Sequence, residues 1–461
     1  MLGFAEALAP RFQNVTPTVR YGGIVLIVLI ALRMPIAYSM ILVGGVGTVI
    51  MNGPFTVLNQ LKTLAYGQFS NYGLSVVPMF VLMGAIASRV GLSKALFRGA
   101  NAWLGWAPGG TAMAAIAGCA GFGAVSGSSL ATASTMGRIA LPELKRFNYS
   151  GSLATGSLAA GGVLGILIPP SVVLIIYSII VEANIVTMFM AAMIPGIMAV
   201  FFFLITILIY VLIRPEAGPK GGAADRAEFI AATLGVLPVV LIFALVLGGI
   251  YGGFYNPTPG AAMGVFLVAV YGLVRRSLSW IDTIDSLKET AQTTGMIYLI
   301  LLGAELMKIF MSRIRMPQAT AEWISGSGLE PMTVLVLLLV ALILLGCLMD
   351  SLSMILLVIP FFWPVLVELN GGLYAFGPDT GYGMSTEDLK IWFGILALIV
   401  VELGLITPPV GMNVFVISAL AKDTPMIDTF KGVMPFFGAE IVRVVVLIMF
   451  PAIALWLPSV M

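Results

Sequence analysis

The chain has no histidine among its 461 residues, only two cysteines, and few charges: Asp, Glu, Lys and Arg together make up 10% of it. The missing histidine excludes Ser-His-Asp hydrolysis, histidine-held metals and histidine proton relays. Cys119 and Cys347 cannot build a zinc site by themselves. They can form at most one disulfide, and both lie in apolar segments where small buried packing residues are expected. Charge this sparse excludes an ordinary soluble domain, in which about 25% of residues are charged. The net charge of +2 says little about partners, and no nucleic-acid partner is expected. Residues 1–20 carry Glu6, Arg11 and Arg20 without a clean apolar core, so no cleavable signal is expected there.

What the chain has is apolar length. It is 60% hydrophobic, with a mean hydropathy of +1.07. A hydrocarbon core ~30 Å thick takes roughly 20 apolar residues per helix. The chain therefore reads as a multi-pass membrane protein with room for roughly ten to twelve spans. Two apolar segments are broken by paired prolines: Gly165-Ile166-Leu167-Ile168-Pro169-Pro170-Ser171 and Gly404-Leu405-Ile406-Thr407-Pro408-Pro409-Val410. Such a pair removes two backbone donors and clashes with the preceding turn. In lipid this is tolerated only where the break is buried in protein or lines a cavity. Matched broken segments in two halves of a membrane protein point to a transporter's binding site.

Each broken segment follows a hairpin-like stretch. Residues 110–145 are apolar but interrupted by Ser126-Gly127-Ser128-Ser129, and residues 331–368 by Asp350-Ser351-Leu352-Ser353. The arms are short for a full span, which predicts re-entrant hairpins with polar tips. The first hairpin leads to a broken helix at 150–181 and an apolar helix at 185–213. The second leads to a broken helix at 389–421 and a last helix at 432–457. A polar loop from Arg214 to Glu228 divides the halves, followed by helices expected at 229–252, 260–274 and 287–312. Ahead of the first hairpin lie two short apolar pieces in 21–52 around Arg33-Met34-Pro35, a span at 74–88 and an interfacial segment at 92–106. Pro169 and Pro408 are 239 residues apart, Ser129 and Ser353 224, and the extra loop 369–387 absorbs the difference. The halves thus read as internal repeats.

Basic residues set the orientation. Arg138, Lys145 and Arg146, then Arg214, Lys220 and Arg226, then Arg275 and Arg276 fall on one side, which is expected to be cytoplasmic. Arg313 and Arg315 fall on the other side and run against this assignment. The second hairpin then enters from the opposite face, so the repeats are predicted to be inverted.

The tips and breaks are the candidate cation and substrate site: Ser126, Gly127, Ser128, Ser129, Pro169, Pro170 and Ser171 in the first half, with Asp350, Ser351, Ser353, Thr407, Pro408, Pro409 and Asn413 in the second. Hydroxyl, amide and freed carbonyl oxygens suit a hard cation such as sodium. Helix N-termini facing the same space can hold a carboxylate. The plainer alternative is that small polar residues only permit close helix packing. Asp350 and Glu402 are intramembrane acids and functional candidates, although Glu402 equally suits a hydrogen-bonded structural acid. Glu440 with Arg443 and Glu305 with Lys308 are spaced to pair with each other. Trp103, Trp106, Trp280, Trp323 and Trp456 are expected to be interfacial anchors. No residue is expected to be catalytic. An intramembrane enzyme acting through Ser128 or Asp350 would lack a nearby histidine or lysine to activate the serine.

Ser126-Gly127-Ser128-Ser129-Leu130-Ala131-Thr132-Ala133, Leu141-Pro142-Glu143-Leu144 and Gly165 to Ser171 resemble the large membrane subunit of TRAP (tripartite ATP-independent periplasmic) transporters. So do Met349-Asp350-Ser351-Leu352-Ser353-Met354 and the run from Glu402 to Asn413. The likeness extends from Pro35-Ile36-Ala37 to Leu455-Trp456-Leu457-Pro458. It implies an all-α polytopic fold with inverted repeats, two re-entrant hairpins and two broken helices, forming an elevator-type transport domain on a scaffold. Residues 1–107, 197–330 and 426–461 would be scaffold; 108–196 and 331–425 would be the two transport-domain repeats. The resemblance also implies sodium as the coupling ion at the two tip-and-break sites and no other cofactor. The implied partners are the bilayer, a small membrane subunit and a periplasmic binding protein that delivers an organic acid such as a dicarboxylate or a sialic acid. The implied location is the bacterial or archaeal inner membrane. A stand-alone sodium/anion symporter remains the alternative. Two departures stand out. The family often has Thr-Pro-Thr-Glu where this chain has Asn256-Pro257-Thr258-Pro259-Gly260, so no role of that glutamate carries over. Loop 369–387 is longer than the resemblance leads one to expect, and it is a candidate contact for the binding protein.

Overall fold

The computed structural model describes residues 25–461 except 27, 30, 31, 33, 223, 317–321, 323–325 and 327. Residues 1–20, Arg33 and Trp323, discussed above, lie outside the described residues. Described residues form helices, and the one pairing outside helices is an isolated bridge between Pro108 and Lys220. The first half holds α1 (Ile36–Asn52), α2 (Pro54–Phe69), α3 (Val76–Arg89), α4 (Leu92–Leu104), α5 (Gly110–Ser126), α6 (Ser129–Arg146), α7 (Gly151–Leu167), α8 (Val172–Ile180) and α9 (Ile185–Ile213). The second holds α10 (Arg226–Tyr251), α11 (Pro257–Val274), α12 (Trp280–Arg313), α13 (Pro331–Gly346), α14 (Ser351–Leu369), α15 (Thr386–Gly404), α16 (Met412–Leu420), α17 (Met426–Met449) and α18 (Ala452–Val460).

Side-chain caps start the helices that matter for the site. Ser128, Ser150 and Ser171 accept from the backbone three residues on at the starts of α6, α7 and α8. Asp350 does the same at the start of α14. Such caps supply acceptors to otherwise orphaned first-turn N–H groups, each worth about 1 kcal/mol.

Seven helices among the described residues are long and apolar enough to cross a membrane, and α7 with α8, bent by 47°, makes an eighth candidate span. Three further helices, α1, α5 and α13, are apolar but too short to count as spans by themselves. The corrections are local. Helix α12 begins at Trp280 rather than 287, because Ser279 and Asp282 form a capping box that starts the helix in a polar stretch. Helix α11 begins at Pro257, since proline is accepted in a first turn whose N–H groups are unpaired anyway. The last apolar segment starts earlier, at Met426, and is split at Phe450-Pro451 into α17 and α18. Helix α2 was not anticipated.

Packing repeats across the halves. Helix α5 packs on α7 and α13 on α15. At each contact two glycines let the backbones approach: a Cβ on Gly123 would lie 2.5 Å from Gly165 Cα, and one on Gly404 2.5 Å from Gly346 Cα. The short helix after each break crosses to the other half, with α8 against α14 and α16 against α6. Around this core α12 lies against α1 and α3, α10 against α4, and α11 against α3.

Cys119 and Cys347 are buried free thiols, as expected of packing residues. Arg443 pairs with Glu440 in full burial and donates to Pro195 O of α9 at 2.8 Å. Lys308 and Glu305 are 3.9 Å apart. Trp103, Trp106, Trp280 and Trp456 are all exposed.

Candidate functional site

The two polar tips meet. Ser126 to Ala131, where α5 turns into α6, and Asp350 to Leu352, where α13 gives way to α14, line one cavity of about 580 Å³. Its other wall comes from α3, through Gly84 and Ser88, and from α12, through Glu289 and Thr293. The first tip turns at Gly127, whose φ of 60° is the left-handed conformation that glycine adopts without strain. A Cβ there would also press within 3.2 Å of Pro170 O, so the tip sits directly on the first proline break. Gly84 provides matching closeness on the α3 side, where a Cβ would lie 2.9 Å from Ser126 Cα.

The hydroxyls are engaged in distinct ways. Ser126 Oγ and Thr132 Oγ1 are 2.9 Å apart. Ser128 Oγ accepts from Ala131 N at 3.4 Å and Ser171 Oγ from Leu174 N at 3.3 Å. Asp350 Oδ2 accepts from Ser353 N at 3.1 Å. Thr407 Oγ1 donates back to Leu403 O at 2.6 Å. Both paired-proline bonds, Pro169–Pro170 and Pro408–Pro409, are cis.

Glu402 joins the tips. Its carboxylate is fully buried on α15 and accepts from Ser129 Oγ of the first hairpin and, at 2.5 Å, from Ser351 Oγ of the second. Each carboxylate oxygen thus has a hydroxyl donor, and no cationic side chain is paired with it among the described residues. The sequence marked Glu402 as an acid in lipid; its role as a bridge between the tips was not visible there.

Asn413 sits behind the tips. Its Nδ2 donates to Ala159 O of α7 at 3.4 Å, while its buried Oδ1 accepts no hydrogen bond from any described residue. A Cβ on Gly162 would lie 2.9 Å from Asn413 Nδ2 and 3.2 Å from Ser129 O, which places the amide beside the first tip's backbone.

Of the predicted residues, Ser126, Gly127, Ser128, Ser129, Asp350 and Ser351 line the shared cavity. Pro169, Pro170, Ser171, Ser353, Thr407, Pro408, Pro409 and Asn413 do not. Of these, Pro170 and Asn413 stand immediately behind the first tip. The far wall was missed: Glu289 and Thr293 are one turn apart on one face of α12, a spacing that could have suggested it. Glu289 Oε2 accepts from Arg89 Nη2 at 2.9 Å, so that acid is already neutralised. No cluster of three or more Cys, Asp or Glu suited to a metal occurs among the described residues. The cavity gathers the hydroxyls of Ser126, Ser128, Ser129 and Ser351 with the carboxylates of Asp350 and Glu289, oxygen donors of the kind that suit a hard cation. Helices α6 and α14 both begin at the cavity, one capped by the Ser128 hydroxyl and the other by the Asp350 carboxylate, so the first-turn N–H groups not taken by these caps face the shared space.

Residues 24–453 match the family described as Tripartite ATP-independent periplasmic transporter, DctM component. The chain is 31% identical to the C4-dicarboxylate TRAP transporter large permease protein DctM of Pseudomonas aeruginosa, across 89% of this chain and 93% of that one. It is 32% identical to the ectoine TRAP transporter large permease protein TeaC of Halomonas elongata, across 87% of this chain and 91% of that one. Among solved structures, the Alcanivorax borkumensis YdaH transporter has a similar fold, with a TM-score of 0.63 at 14% identity, covering 86% of this chain and 89% of that one.

Proposed function

The chain belongs to the DctM-component family of tripartite ATP-independent periplasmic transporters, and we propose that it is the large subunit of a sodium-coupled importer of an organic acid. It is a multi-pass transport permease of the inner membrane, not an enzyme. The observation that carries the proposal is the meeting of the two tips, one from each half, in a single cavity closed on its far side by α3 and α12.

In this reading the cavity divides a moving part from a fixed one. Residues 108–196 and 331–425 form the transport domain as two inverted repeats with re-entrant hairpins. Residues 1–107, 197–330 and 426–461 form the scaffold. The crossed packing of α8 on α14 and α16 on α6 supports treating the two repeats as one body. The substrate carboxylate binds between the N-termini of α6 and α14. Sodium binds behind each tip: Ser126, Ser128, Ser129, Ser171, the Pro169-Pro170 break and, reaching over from the second half, Asn413 serve one site, and Asp350, Ser351, Ser353, Thr407 and the Pro408-Pro409 break the other. Asn413 Oδ1 supports this, because a buried acceptor without a donor is costly and a desolvated cation would satisfy it. Elevator-like motion of the tips against α3 and α12 then carries both ligands across.

A small membrane subunit and a periplasmic binding protein complete the transporter. The named relatives carry different substrates at nearly equal identity. We therefore propose no more than a small carboxylate, such as a dicarboxylate or sialic acid, as the cargo. The test is uptake into proteoliposomes holding this chain, its small subunit and its binding protein. Uptake is expected only with all three and an inward sodium gradient. Uptake by the chain alone would favour a stand-alone symporter; uptake indifferent to sodium would remove the coupling ion.

A further inference from the structure

Away from the tips, α4, α10 and α11 enclose a second cavity of about 570 Å³ on the basic side of the protein. Three cations reach it: Lys94 and Arg98, one turn apart on α4, and Arg275 at the end of α11. No acidic residue lines it. Among the described residues none of the three has a carboxylate oxygen within 4.0 Å, whereas neighbouring Arg89 is paired with Glu289. Three uncompensated cations beside one cavity repel each other, and they suit an anion with several oxygens.

The remaining walls are apolar. Leu234 and Pro238 of α10 lie on one side, and Leu234 is 60% exposed, so the cavity opens along the outer face of α10. Trp103 of α4 donates through Nε1 to Thr233 Oγ1 of α10 at 2.9 Å, and Trp280 stands exposed just past Arg275. Tryptophans at this level mark the membrane–water boundary. A cationic mouth at headgroup depth, continuous with an apolar groove, matches the two ends of a phospholipid.

We propose that this cavity binds a phosphate-bearing anion through Lys94, Arg98 and Arg275, and that the anion is the headgroup of an anionic phospholipid in the leaflet on the basic side. Basic pockets between membrane helices take such headgroups, and each cation near the surface contributes enough to change binding about fivefold. The site lies on helices outside the tip cavity, so it stands whether or not the transport reading holds.

Native mass spectrometry of the delipidated full chain would read it, with phosphatidylglycerol, phosphatidylcholine and inorganic phosphate as separate probes. Phosphatidylglycerol is expected to bind in preference to phosphatidylcholine. Lys94→Ala, Arg98→Ala and Arg275→Ala should each weaken it about fivefold, and the triple variant roughly a hundredfold. All three side chains are exposed, so these variants should melt like the wild type. Lys94→Arg should retain binding, as should Arg138→Ala, a cation on the same side outside the cavity. Unchanged phosphatidylglycerol binding by the triple variant, or equal binding of phosphatidylcholine, would overturn the site. Binding of inorganic phosphate with no lipid adduct would overturn the lipid as its source.

Discussion

Ser129 and Ser351, from opposite halves of the chain, donate to the same carboxylate, that of Glu402. The first tip is therefore held by an acid of the other half, and the second tip by the same acid within its own half. Removing either hydroxyl leaves a buried carboxylate oxygen short of a donor. Ser129→Ala and Ser351→Ala are each expected to cost roughly 1–3 kcal/mol, the range for leaving a buried polar group unsatisfied. The double variant should cost more than the sum, because it strands a buried acid with no donor. Denaturant unfolding of the four proteins in detergent would show this; simple additivity would mean the serines act independently.

Sodium dependence tests the proposed cation sites. Asp350→Ala and Thr407→Ala are expected to raise the sodium concentration needed for half-maximal uptake. Asn413→Leu should do the same and should also reduce the stabilisation that sodium chloride gives over choline chloride in a melt. A ligand at a hundred times its dissociation constant adds about 2.7 kcal/mol, so the wild-type shift should be easy to read. An unchanged sodium dependence in all three variants would remove these residues from the sites.

Close glycine contacts predict unequal costs for the same substitution. Gly404→Ala places a Cβ 2.5 Å from the Gly346 backbone, and Gly123→Ala places one 2.5 Å from Gly165 Cα. Overpacking of this kind costs about 1–3 kcal/mol. On α1, a methyl added at Gly45 would meet nothing within 4 Å, so Gly45→Ala should be neutral or stabilising by up to roughly 1 kcal/mol. Melting temperatures of the three variants, ranked side by side, decide the matter.

One ion pair gives a pH signature. Lys145 Nζ lies 2.6 Å from Asp423 Oδ2, tying the end of α6 to the loop before α17. The hydrogen bond and charge of Lys145 hold the Asp423 carboxyl below its ordinary value. Its contribution is therefore complete above the ordinary aspartate range and is lost as pH falls through the lowered value. Both groups are exposed, so the effect is small and screened by salt. Asp423→Asn should flatten the acid limb of the stability profile slightly, and only at low ionic strength.

Loop 369–387 is ordered by Asn370. Its Nδ2 donates to Met384 O at 3.2 Å and to Thr386 Oγ1 at 3.0 Å, and its Oδ1 accepts from Tyr382 N at 3.1 Å. The loop holds Tyr374 and Phe376 almost fully in solvent, at 97% and 89% exposure. If the loop contacts the binding protein, Tyr374→Ala with Phe376→Ala should lower uptake when that protein is limiting and leave the melt unchanged. Wild-type uptake under that condition would discount the contact.

The bent pair α7–α8 and the end of α15 before Pro408-Pro409 were legible because two adjacent prolines cannot be absorbed by a continuous helix, and the turns at Ser126 and Asp350 because polar residues interrupt an apolar run. Helix α2 escaped notice because it is only weakly apolar and carries Asn59, Gln60 and Lys62. The start of α12 escaped because capping, not hydrophobicity, begins it. The bridge at Glu402 was out of reach for a different reason. One of its donors is 273 residues away, and no local pattern encodes a contact of that separation.

The crossing of α16 onto α6 and of α8 onto α14 has a consequence for biosynthesis. A ribosome adds about 5–20 residues per second, so α6 enters the bilayer on the order of tens of seconds before the helix that covers it exists. Until then its partner face stays open within the membrane. A first half made alone should remain inserted but unassembled, open to proteolysis, and should be rescued when the second half is supplied as a separate polypeptide.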